Sequence, residues 1–102
     1  MKAHEILATS KSILDVRAKT YDSPSGERSM AATVAAFKAV TGHELTEEQG
    51  WLFMALLKAV RSQKGVYRLD SYQDGAAYFA LAGETAARTR SGTVVRGEAK
   101  KQ

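Results

Sequence analysis

The sequence contains no cysteine and a single proline, and each scarcity removes a class of explanation. Without thiols there is no disulfide framework, no thiolate nucleophile and no cysteine-based metal site. Histidine is almost as scarce. His4 and His43 are the only imidazoles, and neither stands at ligand spacing from another donor, so a zinc site and a Ser/His/Asp triad both lack their key residue. No apolar run approaches the length of a membrane span. Lys2, Glu5 and Lys11 interrupt the first apolar stretch, so no secretory leader is expected there. Walker and dinucleotide-binding glycine fingerprints are missing too. These absences lead to the expectation of a cytoplasmic protein with no membrane partner.

What is present suits one small domain. A chain of 102 residues, 44% of them hydrophobic, can bury a modest core without metal or disulfide support. The formal charge of +4 suggests nucleic acid until its location is examined. Arg88, Arg90, Arg96, Lys100 and Lys101 face only Glu98 in the last stretch, which leaves ten basic and ten acidic residues in the rest of the chain. The expected organisation is a neutral helical domain over 1–87 and a flexible basic tail over 88–102, rich in Gly, Ser and Thr. Nucleic acid is expected to bind only through that tail.

Helical periodicity dominates residues 1–87, and no strand-like alternation competes with it. Ile6, Ile13 and Leu14 share one side of a helix predicted over 3–20. The turn formers around Pro24 break the chain at 21–26. Met30, Ala31, Val34, Phe37, Ala39 and Val40 follow the helical period over 27–41, and Gly42 stands at the position of a C-terminal capping glycine. Thr46 and Gln49 form a capping box at the start of a third helix that carries Trp51 and Met54 and ends before Gly65. Asp70 with Gln73 has the same form, and a fourth helix, rich in glycine and alanine, continues to about Ala87. The fold class is therefore all-α, a compact bundle of about four helices with a disordered basic C-terminal tail. The small residues of the fourth helix permit close approach of another helix, either within the chain or in a homo-oligomer.

Seven polar residues are the candidates for chemistry. Asp70, Asp74 and Tyr78 stand four apart and share one helical stripe. Lys58 and Arg61 neighbour each other on the third helix, and Arg17 and Tyr21 do so on the first. One reading pairs Lys58 and Arg61 with Asp70 and Asp74 at the edge of the core, because buried charges require partners. The other lets Arg17, Lys58 and Arg61 converge on a phosphate, with Tyr21 or Tyr78 against a base. Both hold together if the carboxylates orient the cations. Trp51 is expected in the core, and Glu47 and Glu48 are expected to complement the helix dipole.

Three blocks carry a family resemblance. They are Arg17-Ala18-Lys19-Thr20-Tyr21-Asp22-Ser23-Pro24, Leu56-Leu57-Lys58-Ala59-Val60-Arg61, and Asp70-Ser71-Tyr72-Gln73-Asp74-Gly75-Ala76-Ala77-Tyr78. In this order and spacing the chain, over roughly residues 5–87, resembles a small all-helical family of unknown function from tailed-phage genomes. Asp22 replaces that family's usual glycine, and Met30 lies near its frequent asparagine. More distantly, the chain is similar to the MazG-like nucleoside triphosphate pyrophosphohydrolases, which hold Mg²⁺ on about four carboxylates. That resemblance implies Glu27, Asp70 and Asp74 as metal ligands, although Asp70 and Asp74 are one residue further apart than the usual pair and Glu27 has Met30 three residues on.

The first expectation for function is a phage accessory protein in the cytoplasm of an infected bacterial host. It would sequester a nucleotide or nucleotide-derived signal, without a catalytic residue or cofactor, and so counter host defence. The binding residues are Arg17, Tyr21, Lys58, Arg61, Asp70, Asp74 and Tyr78. The second expectation is Mg²⁺-dependent pyrophosphohydrolysis, and the third is a structural or protein-interaction module.

Overall fold

The computed structural model describes the backbone of residues 1–23, 26–27 and 29–90, and the side chains of 1–20 and 29–90. The expected tail, from residue 91 onward, lies outside the described residues. Among the described residues there are four helices: α1 (Ala3–Tyr21), α2 (Ser29–Thr41), α3 (Glu47–Ser62) and α4 (Leu69–Thr89). Between α1 and α2, β1 (Asp22–Ser23) pairs antiparallel with β2 (Gly26–Glu27), Asp22 opposite Glu27 and Ser23 opposite Gly26. The two short strands flank the break around Pro24, and residues 24 and 25 lie outside the described residues. The pairing commits Gly26 and Glu27 to a ladder, so α2 begins at Ser29 and not at Glu27.

The capping box forms as its spacing predicts. The Gln49 N–H donates to Thr46 Oγ1 at 3.1 Å, and the Thr46 N–H donates to Gln49 Oε1 at 2.9 Å. Two free donors at the start of α3 are thereby satisfied. Gly42 and Gly65, at φ +79° and +68°, end α2 and introduce the α3–α4 turn in the left-handed region that glycine adopts without strain.

Asp70 does not cap α4. The helix begins one residue earlier, with Arg68 at the N-cap and no side-chain cap bond, which places Asp70 inside the first turn. At the other end α4 runs two residues past Ala87, because Arg88 and Arg90 form ion pairs with Glu47 and Glu48 in the first turn of α3. The first two cations of the stretch expected as a tail therefore contact α3.

Those pairs, together with Lys58–Asp74 further along, run in opposite chain order and show α3 and α4 to be antiparallel. The two helices share the largest interface in the fold, and α1 packs on α4. Ser10, only 4% exposed, donates to the Gln73 carbonyl at 2.9 Å, and Gln73 Nε2 donates to Thr9 Oγ1 at 2.7 Å. Trp51, 2% exposed, lies at the centre with Met30, Leu81 and Ala82, and Leu14, Val34, Met54 and Tyr78 pack against this cluster.

Helix α2 touches mainly α3 and buries only Met30. The apolar set read from its periodicity is otherwise half-buried at Val34 and exposed at Phe37 and Val40.

Candidate functional site

The turn between α3 and α4 carries the strongest concentration of cations. Lys58, Arg61, Lys64 and Arg68 line a cleft of about 330 Å³ together with Asp70 and Ser71. Helical spacing explains the arrangement. Lys58 and Arg61 lie three residues apart on the last turns of α3, and Gly65 turns the chain so that Arg68 and the first turn of α4 close the other side.

Four cations meet one carboxylate in this lining, and the pairing within it is uneven. Lys58 Nζ lies 3.0 Å from Asp74 Oδ2, with side chains only 13% and 27% exposed. This pair is anchored between the helices. Arg68 Nε lies 3.6 Å from Asp70 Oδ1, in a looser and more exposed contact. Arg61 and Lys64 make no ion pair among the described residues. The pairing of the two carboxylates with cations is as the sequence suggests, but the partner of Asp70 is Arg68 and not Arg61. The uncapped start of α4 adds backbone N–H groups and the positive end of a helix dipole to the same cleft.

Arg17 and Tyr78 gather elsewhere. The Arg17 guanidinium lies 5.2 Å from the centroid of the Trp51 ring, and the Tyr78 ring stacks on Trp51 at 5.9 Å and 20°. Trp51 precedes Lys58 by seven residues, about 10 Å along α3. Arg17 also approaches Ser29 Oγ at 3.5 Å, so its guanidinium joins α1 to α2 and α3. The seven candidates thus divide into a basic cleft at the turn (Lys58, Arg61, Asp70, Asp74) and an arginine–aromatic cluster on the core (Arg17, Tyr78). The Tyr21 side chain lies outside the described residues. The sequence reading missed Lys64 and Arg68, and their nearness to Gly65 was the signal that could have found them, since a turn there folds both back toward Arg61.

The donor set at the two aspartates does not suit a divalent cation. Both carboxylates already face cations, and the described residues hold no cluster of three or more His, Cys, Asp or Glu side chains. The Glu27 side chain, the third candidate ligand, lies outside the described residues. An oxygen cage for Mg²⁺ needs several carboxylate or carbonyl ligands free to turn toward the ion, whereas here positive charge already fills that position. What the cleft can do chemically is hold an anion, through charge-assisted and bidentate hydrogen bonds.

No helix among the described residues is long and apolar enough to cross a membrane. Comparison with curated proteins and with solved structures returned no match. One family does match, over residues 5–86, which span all four helices up to the last turn of α4 and include every candidate residue. The chain therefore belongs to the family described as a domain of unknown function, DUF6378.

Proposed function

We propose that the protein binds a phosphate-bearing small molecule of the nucleotide class in the cleft at the α3–α4 turn. The observation that carries this reading is that Arg61 and Lys64 line a cleft of about 330 Å³ without an ion-pair partner among the described residues, beside Lys58, which Asp74 holds in place. Unneutralised cations grouped around a concave site are costly through mutual repulsion unless an anion joins them. The volume lies at the low end of ligand sites and suits a phosphate or diphosphate group, with the rest of a nucleotide extending outward.

The carboxylates act here as positioning groups, and no residue is assigned a catalytic role. Binding without turnover makes the protein a sequestering agent. The resemblance to small helical proteins of tailed phages supports an accessory role in the cytoplasm of an infected host, directed at nucleotide-signalled defence. The pairing of Asp70 and Asp74 with cations weighs against the MazG-like alternative.

Calorimetry against inorganic triphosphate, nucleoside triphosphates and cyclic nucleotides tests the reading. Binding is expected to weaken as salt rises, and Arg61→Ala is expected to weaken it by roughly tenfold or more, the value of a hydrogen bond to a charged group. The ligand should be recovered chemically intact after heat release. If no compound in this panel bound, the proposal would fall, and recovery of a hydrolysed ligand would move the protein to the enzymatic class.

A further inference from the structure

Helix α3 carries two apolar faces, and the described residues cover one. Trp51 and Met54 face the interior, and α2 borders α3 along Gly50, Phe53 and Met54. Away from the interior Leu52, Leu56 and Val60 are 38%, 54% and 53% exposed, and Phe53, at the border with α2, is 63% exposed. Their spacing is that of a packed seam. Gln49, Leu52, Leu56, Ala59 and Gln63 alternate three and four residues apart, and Phe53 and Val60 flank the line one heptad from each other. On the same side, Ala55, Ala59, Gly75 and Ala76 form the floor of a shallow groove between α3 and α4 that Tyr72 borders. Phe79, one turn beyond Gly75 on α4, is 64% exposed.

We propose that this face is the interface of a symmetric homodimer in which α3 of one chain packs antiparallel to α3 of a second copy, with the two-fold axis at Leu56. The self-complementarity of the stripe identifies a second copy as the occupant. Reversing α3 about Leu56 places Leu52 against the partner's Val60, Phe53 against the partner's Ala59 and Gln49 against the partner's Gln63. Leu56 meets its own copy on the axis, each larger side chain beside it meets a smaller one, and the two polar ends meet each other, as an isologous contact allows.

Charge follows the same symmetry. Glu47 and Glu48 lie in the first turn of α3 and Arg61 in its last, so the antiparallel arrangement sets the acidic end of each α3 over the basic end of the other and opposes the helix dipoles. Leu52, Phe53, Leu56 and Val60 are 38–63% exposed, and Tyr72 and Phe79 on α4 are 40% and 64% exposed, a concentration of apolar surface of the kind that a stable interface, with ~800 Å² from each partner, covers.

The absence of cysteine makes the test clean, because one introduced thiol is the only thiol. Size-exclusion chromatography with light scattering should give the mass of a dimer at micromolar concentration. Leu56→Glu should give a monomer with unchanged helical circular dichroism. Leu56→Cys, which faces itself across the axis, should be joined to a second chain by a short bismaleimide, whereas Ala36→Cys on the exposed side of α2 should not. A wild-type monomer throughout the micromolar range, or an assembly that survives Leu56→Glu, would overturn the proposal, including the case in which the face serves a different protein. None of these readouts depends on nucleotide binding, so the two proposals can fail separately.

Discussion

Gly50 is the residue on which the docking of α2 depends. A Cβ at this position would lie 2.3 Å from Met30 Sδ, 2.9 Å from Met30 Cγ and 3.1 Å from a Val34 methyl, and Met30 is itself buried. Gly50→Ala should gain up to about 1 kcal/mol in helix propensity and lose about 1–3 kcal/mol by forcing Met30 out of its place. The expected net result is destabilisation, read as a fall of several degrees in melting temperature. Gly83→Ala is the matched control: no atom lies within 4 Å of its added Cβ, so the propensity gain should appear alone and raise the melting temperature. Lys58 and Asp74 show the same dependence on surroundings. Their spacing in the chain suggested an ion pair, but the 3.0 Å contact and its partial burial come from the antiparallel approach of α3 and α4, which also leaves Arg61 and Lys64 to face the cleft.

At the scale of the element, the signals that proved legible are those whose physics lies within a few residues. Thr46 and Gln49 satisfy each other's backbone donors, and this requires nothing from the rest of the fold. Thr46→Ala should cost about 1 kcal/mol, visible as a lower midpoint in urea with an unchanged slope, because the folded state keeps its compactness. The same pattern at Asp70 and Gln73 misled, since Gln73 is engaged with Thr9 on α1 and cannot reach back to complete a box. Tertiary contact overrode a local motif there. It did so again at the end of α4, where Arg88 and Arg90 are held by Glu47 and Glu48 of α3 and extend a helix that composition alone had ended at Ala87. The apolar period of α2 is real, but periodicity counts apolar residues and does not reveal how many faces find a partner. With α3 as its main neighbour, α2 leaves Phe37 and Val40 exposed.

For the molecule as a whole, several large apolar side chains among the described residues stay exposed. Among the described residues the buried hydrophobic ones are Met30, Trp51, Ala77, Leu81 and Ala82, while Leu52, Phe53, Leu56, Val60 and Phe79 stay in water. An association that buries this surface should make the melting temperature rise with protein concentration, since mass action favours the folded dimer. Differential scanning calorimetry over a wide concentration range would show this, and Leu56→Glu should abolish the dependence. By itself the amino-acid sequence determined the helical class, the capping of α3, the glycine stops at 42 and 65, and the central place of Trp51, because these follow from local backbone chemistry and from the size of one side chain. Only the tertiary structure decided that Arg17 and Tyr78 rest on Trp51 while Lys58, Arg61, Lys64 and Arg68 surround a cleft at the far turn, and that one face of α3 is left exposed among the described residues. Helical spacing places residues on a face, but which faces meet depends on how whole helices pack.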